Sequence, residues 1–204
     1  MRVNKKKFIY LISPNKIYKK FFKDLQELLE TGKISFFQLR LKKYSFKHKI
    51  LIGKKIKNIC KKNRVKFLIN DDPILAKRLG ADGCHLGQKD MNIKEARKII
   101  GKKIIGVTCH NSITLAKIAI KAKASYLAFG AFYSSKTKKT NHKAHVKILK
   151  KIKKITKTPI VAIGGIKSEN YKNLLLNNAN FLAISSYVWN NKKYKPLEAL
   201  ERLK

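Results

Sequence analysis

Four of the chain's five aspartates lie within residues 70–90, although the net charge of the sequence is +38. Asp71 directly follows the short run 66–70, and Asp90 follows the run 83–87 closely. Residues just past the ends of buried parallel strands often carry the chemistry of α/β proteins, and carboxylate oxygens suit Mg²⁺. We therefore predict that Asp71 and Asp90 bind a metal ion. Asp72 and Asp82 have simpler interpretations, the start of a helix and the cap of a turn.

A group of cationic and polar residues could bind a diphosphate beside these carboxylates. Gln38, Arg40 and Lys42 alternate along one side of an extended segment. Arg40 is one of only six arginines in the chain, so it is less easily explained as a general surface residue than any lysine. With the two aspartates and Lys138 from a later loop, these cations would suit Mg²⁺ together with a diphosphate.

A second anion site is predicted where the later apolar runs end. The pair Gly164-Gly165 ends the seventh run, and the pair Ser185-Ser186 lies within the eighth. Barrel enzymes often hold phosphate at this place on backbone N–H groups of glycine turns and at a helix N-terminus. Ser135 and Thr137 could add hydroxyl donors. A lone glycine pair is more often a tight turn, so the prediction depends on the joint pattern at successive strand ends.

Eight short apolar runs alternate with amphipathic segments along the chain. The runs, which we predict as strands, are 8–13, 34–40, 67–70, 83–87, 104–109, 126–132, 159–165 and 181–188. The predicted helices are 18–30, 46–62, 73–79, 92–100, 112–123, 143–157, 168–177 and 197–203. Apolar strands that are each followed by a helix form a parallel sheet covered by helices. Eight consecutive units predict an α/β fold, a single (β/α)8 TIM barrel with short loops, in which residues 1–204 form one domain.

Composition indicates a globular protein, with 44% apolar residues. The apolar part of the N-terminal run, 8–12, is too short for a signal sequence, and no apolar run approaches the ~20 residues of a membrane span. We expect a cytoplasmic protein. The three cysteines are widely spaced and form no Cys-x-x-Cys, so neither a disulfide framework nor a zinc site is indicated. Cys84 and Cys109 are predicted to be buried thiols.

The strong positive charge could indicate nucleic-acid binding. Here, however, the excess is nearly all lysine, spread over every predicted helix. Nucleic-acid binders more often concentrate Arg and Lys on one stripe beside stacking aromatic residues. We interpret the charge as a solvated surface, so nucleic acid and membrane are disfavoured as partners and small molecules are favoured. A homo-oligomer is compatible with the sequence.

Six motifs, in the right order along nearly the whole chain, resemble those of the thiamine phosphate synthase family. They are Gln38-Leu-Arg40-Leu-Lys42, Asn70-Asp71-Asp72, the block from Gly80 to Asp90, Gly106-Val-Thr-Cys-His110, Thr137-Lys138 and Ala162-Ile-Gly-Gly-Ile166. The resemblance implies a (β/α)8 barrel transferase of thiamine biosynthesis. Such an enzyme joins 4-amino-2-methyl-5-hydroxymethylpyrimidine diphosphate to thiazole phosphate, with Mg²⁺ as cofactor, and releases diphosphate.

The resemblance also implies roles for individual residues. The pyrimidine diphosphate would contact Gln38, Arg40, Lys42, Asn70, Thr108 and Lys138, of which Arg40 and Lys138 would be catalytic. Asp71 and Asp90 would hold Mg²⁺, and the thiazole phosphate would contact Ser135, Thr137, Gly165, Ile184 and Ser185. Three residues depart from the family's usual pattern: Thr108 replaces Ser, Ala131 replaces Pro and Ser135 replaces Thr.

The implied reaction is a dissociative substitution, in which the electron-rich aminopyrimidine helps to expel diphosphate. It needs little proton transfer, so cations, a metal ion and positioning groups suffice. Two alternatives stay open at this point. A thiazole tautomerase, a related barrel, would bind thiazole phosphate but would need no diphosphate site. A nucleic-acid-binding protein on a barrel scaffold would use the +38 charge.

Overall fold

A computed structural model describes residues 8–134 and 142–203. Eight parallel strands close into a barrel in chain order, with the last strand paired to the first. The strands are β1 Ile9–Ile12, β2 Ile34–Leu39, β3 Lys66–Asn70, β4 Gly83–Leu86, β5 Ile104–His110, β6 Tyr126–Phe129, β7 Ile160–Ile163 and β8 Phe181–Ile184. The helices are α1 Phe21–Glu30, α2 Phe46–Lys62, α3 Pro73–Leu79, α4 Ile93–Ile100, α5 Ile113–Lys121, α6 Lys147–Ile155, α7 Tyr171–Leu176, α8 Ser186–Trp189 and α9 Pro196–Glu201. The predicted (β/α)8 barrel is confirmed.

The core divides into two clusters because successive strand side chains point to opposite faces of the sheet. On β1, Ile9 and Leu11 belong to the larger cluster, which includes buried residues from the helices. Tyr10, between them, belongs to a smaller cluster with residues from other strands, among them Leu68, Tyr126 and Val161. This smaller cluster fills the barrel interior. Several of its members, among them Tyr10, Tyr126 and Val161, also line the floor of the cavity described below.

Helix-capping residues begin several helices close to the predicted positions. Asp72 accepts a hydrogen bond from the Leu75 N–H (2.8 Å) at the start of α3, where Pro73 occupies the first turn. Asn92 accepts one from the Glu95 N–H (3.0 Å) at the start of α4. A cap satisfies a backbone donor that has no partner within the helix. The prediction that Asp72 starts a helix is therefore confirmed.

Asp82 has a different role from the predicted turn cap. Its carboxylate accepts hydrogen bonds from the Phe67 N–H (2.9 Å) and from Lys66 Nζ (3.0 Å). It therefore joins the start of β3 to the segment that enters β4. This contact lies at the N-terminal ends of the strands, away from the metal candidates.

The predicted eighth strand, 181–188, is too long. The strand ends at Ile184, and α8 follows from Ser186 to Trp189. The indole Nε1 of Trp189 donates to the carbonyl of Ile12 at the end of β1 (2.7 Å). A helical turn brings the indole back to β1, whereas a continued strand would carry it away from the barrel.

Three further observations concern the predictions from composition. Cys60, Cys84 and Cys109 are buried and free, as predicted for the last two. Across residues 8–134 and 142–203, no helix combines the length and the apolar character of a membrane span. Short connections separate most strands from their helices, as expected for a barrel at the low end of the size range of this fold.

Candidate active site

A cavity of about 830 Å³ opens at the carboxyl ends of the strands, the face where barrel enzymes keep their active sites. Every predicted site residue that the structure describes lines this cavity. These residues are Gln38, Arg40, Lys42, Asn70, Asp71, Asp90, Thr108, Gly165, Ile184 and Ser185. The other three, Ser135, Thr137 and Lys138, lie outside the described residues.

The two metal candidates meet at the ends of β3 and β4. Asp71 has a left-handed backbone (φ 64°), and its N–H donates to the carbonyl of His85 in β4 (2.8 Å). The Asp90 carboxylate accepts a hydrogen bond from the Gly87 N–H (2.7 Å). Burial raises the pKa of Asp90, and a hydrogen bond with the Asp71 carboxyl raises it further. Two carboxyl groups that are close enough to hydrogen-bond each other favour a cation between them.

A cationic side chain already faces one of these carboxylates. Lys42 Nζ lies 3.2 Å from Asp71 Oδ2, in a half-exposed ion pair. Arg40, two residues earlier, donates from Nη1 to the side-chain oxygen of Asn15 (3.2 Å). Lys42, after β2, therefore stands beside the carboxylate that follows β3, whereas the Arg40 guanidinium contacts Asn15. Within the described ranges, no three His, Cys, Asp or Glu residues form a group that could hold a metal ion.

Gln38 supplies a buried hydrogen-bond donor that has no partner in the part of the chain that the structure describes. The residue is 2% exposed on β2, and its Nε2 makes no hydrogen bond within residues 8–134 and 142–203. Buried polar groups nearly always have a partner, and an unpaired one destabilises the fold. Because Gln38 lines the cavity, a ligand acceptor would satisfy this donor.

A connected set of polar side chains crosses the cavity floor. The hydroxyls of Tyr10 and Tyr126 hydrogen-bond each other (2.8 Å), and the Tyr126 hydroxyl also hydrogen-bonds His85 Nδ1 (2.9 Å). His85 Nε2 hydrogen-bonds Thr108 Oγ1 (2.8 Å), so four strands contribute to one network. Burial raises the pKa of both tyrosines well above the ordinary value, which keeps their hydroxyls protonated.

This network was not predicted from the sequence, which assigned no role to His85. One signal was present: Gly106 interrupts an otherwise bulky fifth strand. In the structure Gly106 pairs with His85 on one side and with Tyr126 on the other. A Cβ at Gly106 would overlap the Tyr126 ring. Glycine at this position makes room for the ring that completes the network.

The opposite wall of the cavity is formed by a glycine turn after β7. Gly164 and Gly165 have positive φ angles of 95° and 62°, which favour glycine. The turn is fixed by the Gly165 carbonyl, which accepts a hydrogen bond from Asn170 Nδ2 (3.0 Å). Ser185 follows β8 beside it, and its hydroxyl donates to the Ser13 carbonyl (3.1 Å). This is the wall on which the second anion site was predicted.

Two further histidines line the cavity without a predicted role. The rings of His110 and His142 lie 4.1 Å apart between centroids. His110 ends β5 with a left-handed backbone (φ 54°), and the carbonyl of His142 accepts the Ala131 N–H (3.0 Å). The contact ties the end of β5 to the chain that enters α6.

Comparison with known proteins identifies relatives over the whole length of the chain. A family model described as thiamine monophosphate synthase matches residues 9–188. The thiamine-phosphate synthase of Pelagibacter ubique (strain HTCC1062) is 68% identical over 207 aligned positions, covering 100% of both chains. The thiamine-phosphate synthase of Erythrobacter litoralis (strain HTCC2594) is 39% identical, covering 94% of this chain and 92% of its own.

Solved structures agree with this match. Thiamine phosphate pyrophosphorylase from Pyrococcus furiosus superposes with a TM-score of 0.86 at 29% identity, covering 98% of this chain and 94% of its own. An enzyme described by the same name from Bacteroides thetaiotaomicron has a TM-score of 0.72 at 15% identity, covering 96% of this chain and 95% of its own, which supports the fold alone. The match to the family model and the 68% identity to a relative of full length are decisive. The chain belongs to the thiamine monophosphate synthase family.

Proposed function

We propose that this protein is a thiamine phosphate synthase. It is a transferase that couples 4-amino-2-methyl-5-hydroxymethylpyrimidine diphosphate with thiazole phosphate and releases diphosphate. Membership of the family and the name of the 68% identical relative support this assignment. The thiazole tautomerase is not favoured, since these relatives are described as synthases.

One observation carries the proposal at the level of the site. The cations Arg40 and Lys42 line the same cavity as the carboxylates Asp71 and Asp90, and Lys42 is ion-paired with Asp71. A protein that binds only thiazole phosphate would need a single anion site, on the Gly165 wall. The additional cations and paired carboxylates are what a diphosphate requires.

The paired carboxylates have the chemistry of a Mg²⁺ site. Mg²⁺ usually binds through one or two carboxylates, substrate phosphates and water, so Asp71 and Asp90 are sufficient protein ligands. The pKa of Asp90 is raised mainly by burial and further by its contact with Asp71. A bound cation would stabilise the ionised form of such a carboxyl group. When bound, the metal ion would supply positive charge to the leaving diphosphate.

The chain's own residues would position and stabilise the pyrimidine diphosphate. Arg40 and Lys42 would neutralise negative charge as the carbon–oxygen bond breaks. The unpaired Nε2 of Gln38 would donate to the ligand, and Asn70 and Thr108 would add polar contacts. The tyrosine hydroxyls beneath them are protonated and lie among apolar side chains. The cavity floor would therefore keep bulk water from the pyrimidine methylene cation that forms when diphosphate leaves.

Thiazole phosphate would bind on the opposite wall. Gly165 would present backbone N–H groups to its phosphate, with Ile184 and Ser185 beside it. The thiazole nitrogen would then face the methylene carbon of the pyrimidine across the cavity. Ser135, Thr137 and the proposed catalytic Lys138 complete this scheme as predictions outside the described residues.

The test begins with the wild-type protein, both substrates and Mg²⁺. Formation of thiamine phosphate is the expected result, and none would refute the proposed function. Arg40→Ala should then abolish coupling and leave the affinity for thiazole phosphate within a few-fold of wild type. If Arg40→Ala retains full coupling, the activity stands and the proposed position of the diphosphate is wrong.

A cytoplasmic location and assembly into a homo-oligomer stay predictions. Gel filtration with light scattering would test the second. We also propose that nucleic acid is not a functional partner. Binding that depends only on phosphate contacts falls steeply with salt, so retention on DNA or RNA at moderate salt would contradict this proposal.

A further inference from the structure

Ser13 is a buried polar residue that the predicted site does not include. Apart from tyrosines and cysteines, three polar side chains are buried among the described residues: Ser13 and Thr108, at 2% and 8% exposed, and Gln38. Gln38 and Thr108 line the cavity, whereas Ser13 follows the end of β1 and is not among the lining residues. Its hydrogen bonds extend to both proposed phosphate-binding walls.

On one side, Ser13 holds the end of β2. Its N–H donates to the Gln38 carbonyl (2.9 Å), and its Oγ accepts the N–H of Arg40 (2.9 Å). The nearby Asn15 accepts from the Arg40 guanidinium (3.2 Å). Residues 13 and 15 therefore fix both the backbone and the side chain of Arg40.

On the other side, Ser13 holds the end of β8. Its carbonyl accepts the hydroxyl of Ser185 (3.1 Å). The Ser13 hydroxyl donates in turn to the Pro14 carbonyl (3.2 Å), so every polar atom of Ser13 is used. Pro14 fixes its own backbone and restricts that of Ser13. The connection between the two walls is therefore short and stiff.

We propose that Ser13 is a positioning residue that sets the separation between the diphosphate half-site at Arg40 and the thiazole phosphate half-site at Ser185. The inference rests on the proposed function, because that function places one substrate at each of these residues. Coupling requires the reacting atoms to lie roughly 3–3.5 Å apart in the bound complex. One residue bonded to both walls transmits a shift of either wall to the other.

Ser13→Ala removes the acceptor for the Arg40 N–H and leaves that donor unpaired. We expect the affinity for inorganic diphosphate in Mg²⁺ to fall about 10-fold, as for a lost buried hydrogen bond. The affinity for thiazole phosphate should fall at least about 3-fold. The Ser13 carbonyl, which accepts the Ser185 hydroxyl, should shift together with the released chain at residue 13. Turnover with both substrates should fall about 100-fold, the effect of roughly 1 Å of misplacement.

Ser125→Ala is the matched control. Ser125 Oγ also accepts a backbone N–H from a neighbouring strand, that of Ile105 (3.0 Å), but at the N-terminal ends of β5 and β6. Both variants should lose similar thermal stability, and only Ser13→Ala should lose ligand affinity. Ser13→Thr keeps the hydroxyl and should restore the affinity for inorganic diphosphate to within a few-fold of wild type.

Calorimetric titration of inorganic diphosphate with Mg²⁺, and of thiazole phosphate, gives two dissociation constants independently of turnover. Loss of both affinities in Ser13→Ala, with neither lost in Ser125→Ala, supports the proposal. It is overturned if Ser13→Ala keeps both affinities within two-fold, loses only one, or loses no more than Ser125→Ala. A wild type that binds both ligands without forming thiamine phosphate refutes the proposed function alone, and one that binds neither refutes both.

Discussion

Gln38→Met should stabilise the protein and weaken substrate binding at the same time. The Nε2 of Gln38 is buried and has no partner among the residues that the structure describes, and an unpaired buried donor costs about 1–3 kcal/mol. Met is unbranched and adapts to irregular spaces, so it fills the same volume without that donor. We expect about 1 kcal/mol of added stability, which raises Tm by about 2–4 °C in a chain of this size.

Binding should change in the opposite direction. A hydrogen bond to a charged ligand contributes about 1.5–3 kcal/mol, so the KM for pyrimidine diphosphate should rise ~10- to 100-fold. Thermal denaturation and steady-state kinetics on the same preparation measure both effects. A variant with a lower Tm and an unchanged KM would show that Gln38 is a structural residue, contrary to this reasoning.

Gln88→Met is the matched control for this experiment. Gln88 lines the same cavity, but its Nε2 donates to the Thr108 carbonyl. The same substitution there removes a partnered donor and should lower the free energy of unfolding by about 1 kcal/mol. Opposite signs of the stability change in the two variants are the specific expectation. Equal changes would mean that the lack of a partner at Gln38 has no energetic consequence.

Three other substitutions test separate parts of the site. Asp71→Asn keeps the size of the side chain but removes an anionic ligand, so coupling should fall at least ~100-fold. In the wild type, full activity in excess chelator would contradict a role for Mg²⁺. Tyr126→Phe breaks the hydrogen bonds to Tyr10 and His85 and should lower the free energy of unfolding by about 1–3 kcal/mol, measured by urea denaturation. Gly106→Ala places a methyl group against the Tyr126 ring and should destabilise by about 3 kcal/mol, whereas a loss below 1 kcal/mol would show that the ring can move aside.

The sequence by itself determined the barrel and the strand-end residues that meet at its cavity. Apolar runs separated by amphipathic segments define parallel strands and outer helices through local periodicity, which needs no tertiary information. The residues after those runs then had to share one face, because parallel strands in a barrel all end on the same side. This is why Gln38, Asn70 and Gly165, far apart in sequence, could be assigned to one cavity before its geometry was known.

The boundaries of the eighth strand were decided by tertiary contacts. The apolar run continues through Val188, so periodicity alone extends the strand. The hydrogen bond from the Trp189 indole to Ile12 joins residues 177 positions apart and selects a helical turn instead. A local pattern carries no information about such a contact.

The polar network and Ser13 were likewise decided only by the fold. Tyr10 and Tyr126 are indistinguishable in sequence from other aromatic core residues, and their hydroxyls meet across 116 positions. Ser13 is an ordinary serine until barrel closure sets β1 between β2 and β8. Composition and spacing specify which side chains reach the cavity. Closure of the barrel decides which of them satisfy one another and which, like Gln38 Nε2, have no hydrogen-bond partner among the described residues.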